Sequence, residues 1–255
     1  MSAEQALELI QDGDYMFSAQ AAGEPAAILS CLQHLKKTGV KNTTLNTCLP
    51  LQYYEAFKDP EMQGVMSHNG WFFSVGLRDA HKKKFVSAIP QSSTSILRKV
   101  LDRIAAENRR PVVLATVSPM DDHGYMSLSV SAIYERDLIN RGALTIVEVN
   151  PNFPRTFGDT QVHVSEVAAL VESDRPIPVS NLAPYTEVDA TIGKYIASLV
   201  EDGSTIQLGI GNIPNAVAAE LKTKKHLGIH TEMFTETMVD LIECGAVDNS
   251  CKGLY

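Results

Sequence analysis

The sequence lacks the marks of several large protein classes. No apolar run approaches the roughly 18 to 20 residues a helix needs to cross a bilayer, so no membrane span is expected. The opening residues, MSAEQALELI, carry neither the basic nor the apolar region of a signal peptide, which predicts a cytoplasmic protein. There are four cysteines, Cys31, Cys48, Cys244 and Cys251, and none are in C-x-x-C spacing. That pattern argues for reduced thiols and against a disulfide framework or a zinc site. Positive charge is also scarce: 22 Lys and Arg face 30 Asp and Glu, a net charge of -8. A nucleic-acid surface would need a clustered basic stripe, so no nucleic-acid partner is expected. Internal repeats, low-complexity tracts and long charge blocks are absent as well.

What is present describes an ordinary globular chain. Its 255 residues are 44% hydrophobic and 20% charged, which allows one large or two modest domains with ample core. Ser2 and Gln5 form a capping box for a first helix. The sequence then predicts strands at Tyr15 to Ala19, Thr43 to Cys48, Trp71 to Val75, Phe85 to Ile89, Pro111 to Val117, Met126 to Val130 and Leu144 to Val149. Helices are expected from Pro25, where Ile28, Leu29, Leu32 and Leu35 keep helical spacing, and over Ser95 to Ala106. The uninterrupted β-branched run Pro111 to Val117 has the composition of a strand buried on both faces. Alternating short strands and helices predict an α/β fold with a mainly parallel sheet. Pro176, Pro178 and Pro184 punctuate a polar stretch and place a domain boundary near 176 to 187.

Beyond that boundary a helix is expected over Glu187 to Val200. It leads into STIQLGIGNIPNAVAAELKTKKHLGIHTEMFTETMVD, Ser204 to Asp240. This reads as a strand (Thr205 to Leu208), a glycine turn, a helix entered through Pro214, a second strand (Leu227 to Thr231), and a helix from about Thr235. Free N–H groups and the positive dipole end of the first helix would face an anion at the strand's carboxyl edge. Glu232 follows Gly209 by 23 residues, at the end of the next strand. An anion-binding turn and a carboxylate thus come to one sheet edge, where open α/β sheets bind ligands. The Gly209-x-Gly211 pair is also compatible with a purely structural turn. A dinucleotide fingerprint wants a third glycine where Pro214 stands.

QLGIGNIPNAV followed by LGIHTEMF resembles the acetyl-CoA hydrolase/transferase family of class I CoA-transferases. Further matching runs are AAGEP (Ala21 to Pro25), V-S-P-x-D-x-x-G-Y (Val117 to Tyr125), E-V-N-P-x-x-P-R-T-x-G-D (Glu148 to Asp159) and I-G-K (Ile192 to Lys194). They span nearly the whole chain in the family's order. The resemblance implies two open α/β/α domains, 1–180 and 187–255, the second truncated, because the family's chains continue well past the glutamate. It carries the nucleophile's role onto Glu232, and coenzyme A contacts onto Gln207, Leu208, Gly209, Ile210 and Gly211. Weaker substrate contacts fall on Gly23, Glu24, Pro25 and Asn212.

The implied activity is an acyl-CoA:carboxylate CoA-transferase of 4-hydroxybutyrate or butyrate/acetate type, working through a glutamyl-CoA thioester. An acyl-CoA hydrolase and a non-catalytic coenzyme A-binding fragment are the alternatives. A sugar-phosphate isomerase has only fold analogy behind it. No tightly bound cofactor and no metal are expected; the coenzyme A thioester and a short-chain carboxylate are substrates. The resemblance implies a homo-oligomer, or a chain that supplies the missing C-terminal part. His230 reads as a packing or hydrogen-bonding histidine, although a regular strand would put it on the face of Glu232. Lys82, Lys83 and Lys84 read as a solvated face. Asp121, Asp122 and His123 are adjacent residues of a turn, which rarely converge as metal ligands.

Overall fold

A computed structural model of the chain describes residues 1–90, 92–179 and 184–253. The chain forms two compact units, Met1–Pro178 and Val179–Tyr255. The boundary expected at 176 to 187 includes residues 180–183, which lie outside the described residues, as does the expected end of the first domain at 180.

The first unit begins with α1 (Ala3–Leu7), held by the expected capping box: Ser2 Oγ accepts the Gln5 N–H and the Gln5 side chain accepts that of Ser2. Then come β1 (Tyr15–Ser18), α2 (Ala26–Ser30), α3 (Leu35–Thr38), β2 (Thr43–Cys48), β3 (Met66–Phe72), α4 (Val75–Lys82), β4 (Val86–Ala88) and α5 (Ser93–Glu107). β5 (Pro111–Val117), β6 (Tyr125–Ser127), α6 (Glu135–Asn140), β7 (Leu144–Val149), β8 (Gln161–His163) and β9 (Ala169–Glu172) complete it. Seven strands make one parallel sheet in the order β4-β3-β2-β1-β5-β7-β9, while β6 and β8 form a small antiparallel pair.

Because successive side chains of a strand point to opposite faces, β1 and β5 feed two cores. Met16, Leu45, Val112, Leu114 and Ile146 pack with the α1 to α3 region. Tyr15, Phe17, Val113 and Val147 pack with Ile96 and Val100 of α5 and Leu138 of α6. Six of the seven residues of β5 are buried, as its apolar composition requires.

The strand expected at Trp71 to Val75 is displaced. It runs Met66–Phe72, and Val75 already opens α4, so the segment ending at Lys82 is helical. The sequence hides β3 because its middle is polar. Those groups are paired across the sheet: the Thr44 and Ser67 hydroxyls at 3.0 Å, Asn69 donating to Asn46 Oδ1 at 3.2 Å, and His68 Nε2 with Thr47 Oγ1 at 2.8 Å. Helix α6 and strands β8 and β9 lacked a readable pattern.

The second unit contains α7 (Glu187–Ser198), β10 (Thr205–Ile206), α8 (Asn212–Leu221), β11 (Gly228–Ile229) and α9 (Glu236–Glu243). Its sheet has only β10 and β11, in parallel, with one further parallel bridge from Leu227 to Val247. Both strands are shorter than the sequence predicts. Helices α7 and α8 lie close at Gly193, where an added Cβ would stand 2.9 Å from the Ala216 carbonyl carbon. That contact gives the glycine of the I-G-K run a packing role.

Candidate functional site

In the second unit, β10 ends at Ile206, so Gln207 to Gly211 form the turn itself. The His230 N–H donates to the Ile206 carbonyl at 3.0 Å, and the Thr231 hydroxyl donates to the Leu208 carbonyl at 3.3 Å. These two bonds bring the turn and the segment leading to Glu232 to the same carboxyl edge of the small sheet. Leu208 is buried in the unit's core and offers a ligand only its backbone. Gln207, Gly209, Ile210, Gly211 and Asn212 are exposed.

Gly211 holds φ +129° as the residue capping α8, a conformation that side chains with a Cβ rarely adopt. No side chain caps that helix end. Its first-turn N–H groups therefore remain available to an anion, which the helix dipole also favours. Pro214 lies in the first turn, where a missing N–H costs nothing.

Glu232 sits in the bend between β11 and α9 rather than at the end of a regular strand, because β11 stops at Ile229. Its carboxylate is exposed and takes part in no hydrogen bond or ion pair among the described residues. His230 differs from expectation: its imidazole is exposed and pairs with nothing among the described residues, where its backbone N–H donates to the Ile206 carbonyl. An unpaired carboxylate beside a turn of free N–H groups is equipped to attack an electrophilic carbonyl whose remote part carries anionic charge.

In the first unit, the chain leaves β1 toward β2 on one side and leaves β5 toward β7 on the other. The topological switch therefore lies between β1 and β5, at whose carboxyl ends open α/β sheets bind ligands. The AAGEP run occupies that place. Gly23, Glu24 and Pro25 are all buried, and a Cβ on Gly23 would stand 2.3 Å from Ser131 Cβ. The Gln20 N–H donates to Ser131 Oγ at 3.2 Å, and that hydroxyl donates to the buried Glu135 at 3.0 Å.

The Glu24 carbonyl accepts from Thr116 Oγ1 at 3.1 Å and from Arg175 Nη2. Arg175 Nε also donates to Glu148 Oε1 at 3.0 Å, while Glu148 Oε2 receives the Ala27 N–H at 2.8 Å in the first turn of α2. Glu148, the first residue of the E-V-N-P run, is fully buried and thus joins β7, α2 and Arg175. The Glu24 side chain is 1% exposed, and burial pushes its carboxyl up to about 7, with Tyr54 and Leu51 pulling the other way.

Sequence reasoning missed Arg175, Tyr54, Thr116, Ser131 and Glu135. No local pattern marks them, because each meets AAGEP across at least 29 residues of chain. Asp121, weighed as a metal ligand, instead accepts the N–H groups of His123 (3.0 Å) and Tyr125 (2.8 Å) and pairs with Arg155 at 2.7 Å. Among the described residues no group of three or more His, Cys, Asp or Glu could hold a metal ion. Lys83 pairs with Asp79 at 2.9 Å, and Lys82 and Lys84 are exposed. No described helix is long and apolar enough to cross a membrane.

Comparison with known proteins adds to this geometry. Residues 1–181 match the acetyl-CoA hydrolase/transferase N-terminal domain. The chain is 36% identical over 251 residues to a succinyl-CoA:cyclohexane-1-carboxylate CoA transferase of Geobacter metallireducens, covering 97% of this chain and 55% of that protein. It is 35% identical over 262 residues to a 4-hydroxybutyrate coenzyme A transferase of Clostridium kluyveri, covering 100% of this chain and 58% of the relative. Its fold superposes on the crystal structure of RipA from Yersinia pestis with a TM-score of 0.88 at 29% identity, over 100% of this chain and 60% of RipA. The chain thus spans somewhat more than half the length of these relatives.

Proposed function

We propose that this chain, which belongs to the acetyl-CoA hydrolase/transferase family, carries the nucleophile of an acyl-CoA:carboxylate CoA-transferase, and that the nucleophile is Glu232. The observation that carries this reading is the exposed, unpaired Glu232 carboxylate at the same sheet edge as the 207–211 turn and the uncapped start of α8. The relatives' names, which include succinyl-CoA and 4-hydroxybutyrate transferases, support the reaction class.

In this reading the carboxylate attacks the thioester carbonyl and expels coenzyme A as thiolate, leaving an acyl-glutamyl anhydride. The thiolate then attacks the glutamyl carbonyl. The first acid departs as carboxylate and a glutamyl-CoA thioester remains. A second carboxylate reverses the sequence and leaves as the new acyl-CoA. Neither step changes an oxidation state or needs a proton removed from the nucleophile. Carboxylate is a weak nucleophile, so the rate rests on orientation, on N–H donors at the developing oxyanion, and on binding of the remote part of coenzyme A. In this assignment Gln207 to Gly211 offer coenzyme A backbone contacts, and Asn212 borders the acyl group.

We further propose that the second unit is one part of a larger domain, completed by a further polypeptide segment. A two-stranded parallel sheet is a poor stand-alone structure. The exposed Ile210, Ile213, Met233, Phe234 and Ile242 around it are apolar surface in need of cover. Four cysteines without disulfide bonds accord with a reducing, cytoplasmic setting.

The same incomplete sheet favours a second reading, a coenzyme A-binding fragment without chemistry. Mass spectrometry after incubation with butyryl-CoA separates the two. A coenzyme A adduct on a Glu232 peptide, absent from Glu232→Gln, is the expected result, with the chain alone or after a relative's C-terminal part is added. Tight coenzyme A binding with no adduct in either case would leave the fragment reading. Consumption of acyl-CoA without added acetate would favour a hydrolase.

A further inference from the structure

The crevice opened at the β1/β5 switch is filled by the chain itself, and Glu24 stands in it half satisfied. Glu24 Oε2 accepts the Leu51 N–H at 3.1 Å. Glu24 Oε1 is buried and has no hydrogen-bond partner of good geometry, and the same holds for the hydroxyl of Tyr54, which stands beside this carboxyl. Four groups face the carboxyl from the surrounding elements. From the segment after β2 come the Leu51 and Gln52 amides and the Tyr54 hydroxyl; Thr116 Oγ1 of β5 is spent on the Glu24 backbone carbonyl instead. From beyond β9 comes Arg175, whose charge is matched by Glu148 of β7 at 3.0 Å. An ionised Glu24 would thus be a second anion against one guanidinium, out of reach of water, with the Leu51 N–H as its one hydrogen bond of good geometry. Buried charges in that condition are strongly disfavoured.

We propose that Glu24 is a positioning residue that works as a neutral carboxylic acid: its proton sits on Oε1, toward the Tyr54 hydroxyl, while Oε2 accepts the Leu51 N–H, and so residues 49–54 are fastened to the turn at 21–25. No atom is transferred; the acid proton closes an otherwise open pair of buried oxygens. The fastened segment includes Leu49, held at φ +49° with its N–H on the Phe72 carbonyl at 3.1 Å. It exposes Leu51 at the carboxyl edge of the sheet. The carboxyl, pushed up to about 7 by burial, loses its proton around neutral pH. The fastening then weakens, and the edge becomes adjustable on the alkaline side. This inference rests on the proposed function only in taking that edge as one that meets substrate; the fastening itself is independent of it.

Two measurements on the full chain test it, and neither involves coenzyme A. With carboxyl-labelled glutamate, NMR should show one side chain titrating near pH 7 that is missing from Glu24→Gln. Hydrogen-exchange protection of the Leu51 amide should fall about tenfold between pH 6 and pH 8. It should stay high at both values in Glu24→Gln, because a neutral amide keeps both an acceptor for Leu51 and a donor for Tyr54. In Tyr54→Phe it should fall several-fold already at pH 6. Titration of every glutamate in the ordinary carboxylate range would overturn the proposal, as would pH-independent protection or a Glu24→Gln variant loosened at pH 6. The wild-type titration decides even where a variant folds poorly. A missing adduct on Glu232 would count against the transferase reading and leave this result untouched.

Discussion

The two units of this chain treat polar and apolar groups in opposite ways. The first buries a seven-stranded parallel sheet on both faces and holds the buried Glu148 against Arg175 at its carboxyl edge, with the Glu24 carboxyl buried beside them. The second has two short paired strands and leaves apolar side chains uncovered. On α7 and its C-cap, Val188, Tyr195, Ile196 and Leu199 are exposed, the last at 83%. In the described residues the first unit, Met1–Pro178, exposes ten large apolar side chains, and the second, with fewer than half as many residues, exposes eleven. The second unit pairs some of its polar groups, such as Lys222 with Asp240 and His226 with Asp248, but leaves the carboxylate of its proposed nucleophile, Glu232, exposed and unpaired among the described residues.

Removing a charge is the sharpest way to test that contrast. Arg175→Ala strands the fully buried Glu148 without its partner and should destabilise the first unit by about 3 to 5 kcal/mol. Glu232→Gln, at an exposed and unpaired site, should change stability by less than about 0.5 kcal/mol. Denaturant midpoints of the two variants check both values. Equal effects would break the comparison.

Next in size comes pH. Glu24 has its folded pKa raised from 4.5 to about 7, so its contribution is complete below pH 4.5 and is lost as pH rises through 7. His68, stacked on Phe57 and fully desolvated, has its pKa lowered from 6.5 to about 3. The fold keeps the neutral imidazole, so stability is lost as pH falls from 6.5 toward 3. Between pH 4.5 and 6.5 the two slopes are opposite and cancel. Chemical denaturation of the first unit should therefore show a plateau there and a decline on either side. The uncancelled alkaline decline spans only pH 6.5 to 7, on the order of 0.7 kcal/mol; Glu24→Gln should remove it and turn the plateau into a rise with pH, a change on the order of 3 kcal/mol over pH 4.5 to 7.

Smaller effects sharpen the picture in the second unit. Gly193→Ala forces a methyl against the α8 backbone and should cost about 1 to 3 kcal/mol. Hydrogen exchange should speed up in α7 and α8 while the first unit's strands keep their protection. Leu199→Gln should leave stability within about 0.5 kcal/mol but reduce binding of a hydrophobic dye and concentration-dependent association. Unchanged dye binding would mean that the exposed surface at the C-cap of α7 is not sticky.

Much of the fold was legible because it obeys local rules. The capping box at Ser2, the β-branched run at Pro111 to Val117 and the strand, turn and helix around Gly211 all carry their cause within a few residues. Strand β3 was misplaced because Ser67, His68 and Asn69 are suited to a strand only opposite Thr44, Thr47 and Asn46. The resemblance gives Glu24 a weaker substrate contact, and the residues around it do not reveal its burial, because a glutamate before a proline gives no local sign of it. Its environment comes from Tyr54, Thr116, Glu148 and Arg175, between 30 and 151 positions away.

The sequence by itself determined the order of the elements, the α/β class and the order of motifs that places the chain in its family, because periodicity, caps and turn residues act over one or two turns of chain. Only the tertiary structure decided which carboxylates are exposed and unpaired and which are buried and held. Glu232 and Glu24 are chemically identical, and the difference between them lies in how much water and which distant partners the folded chain leaves around each.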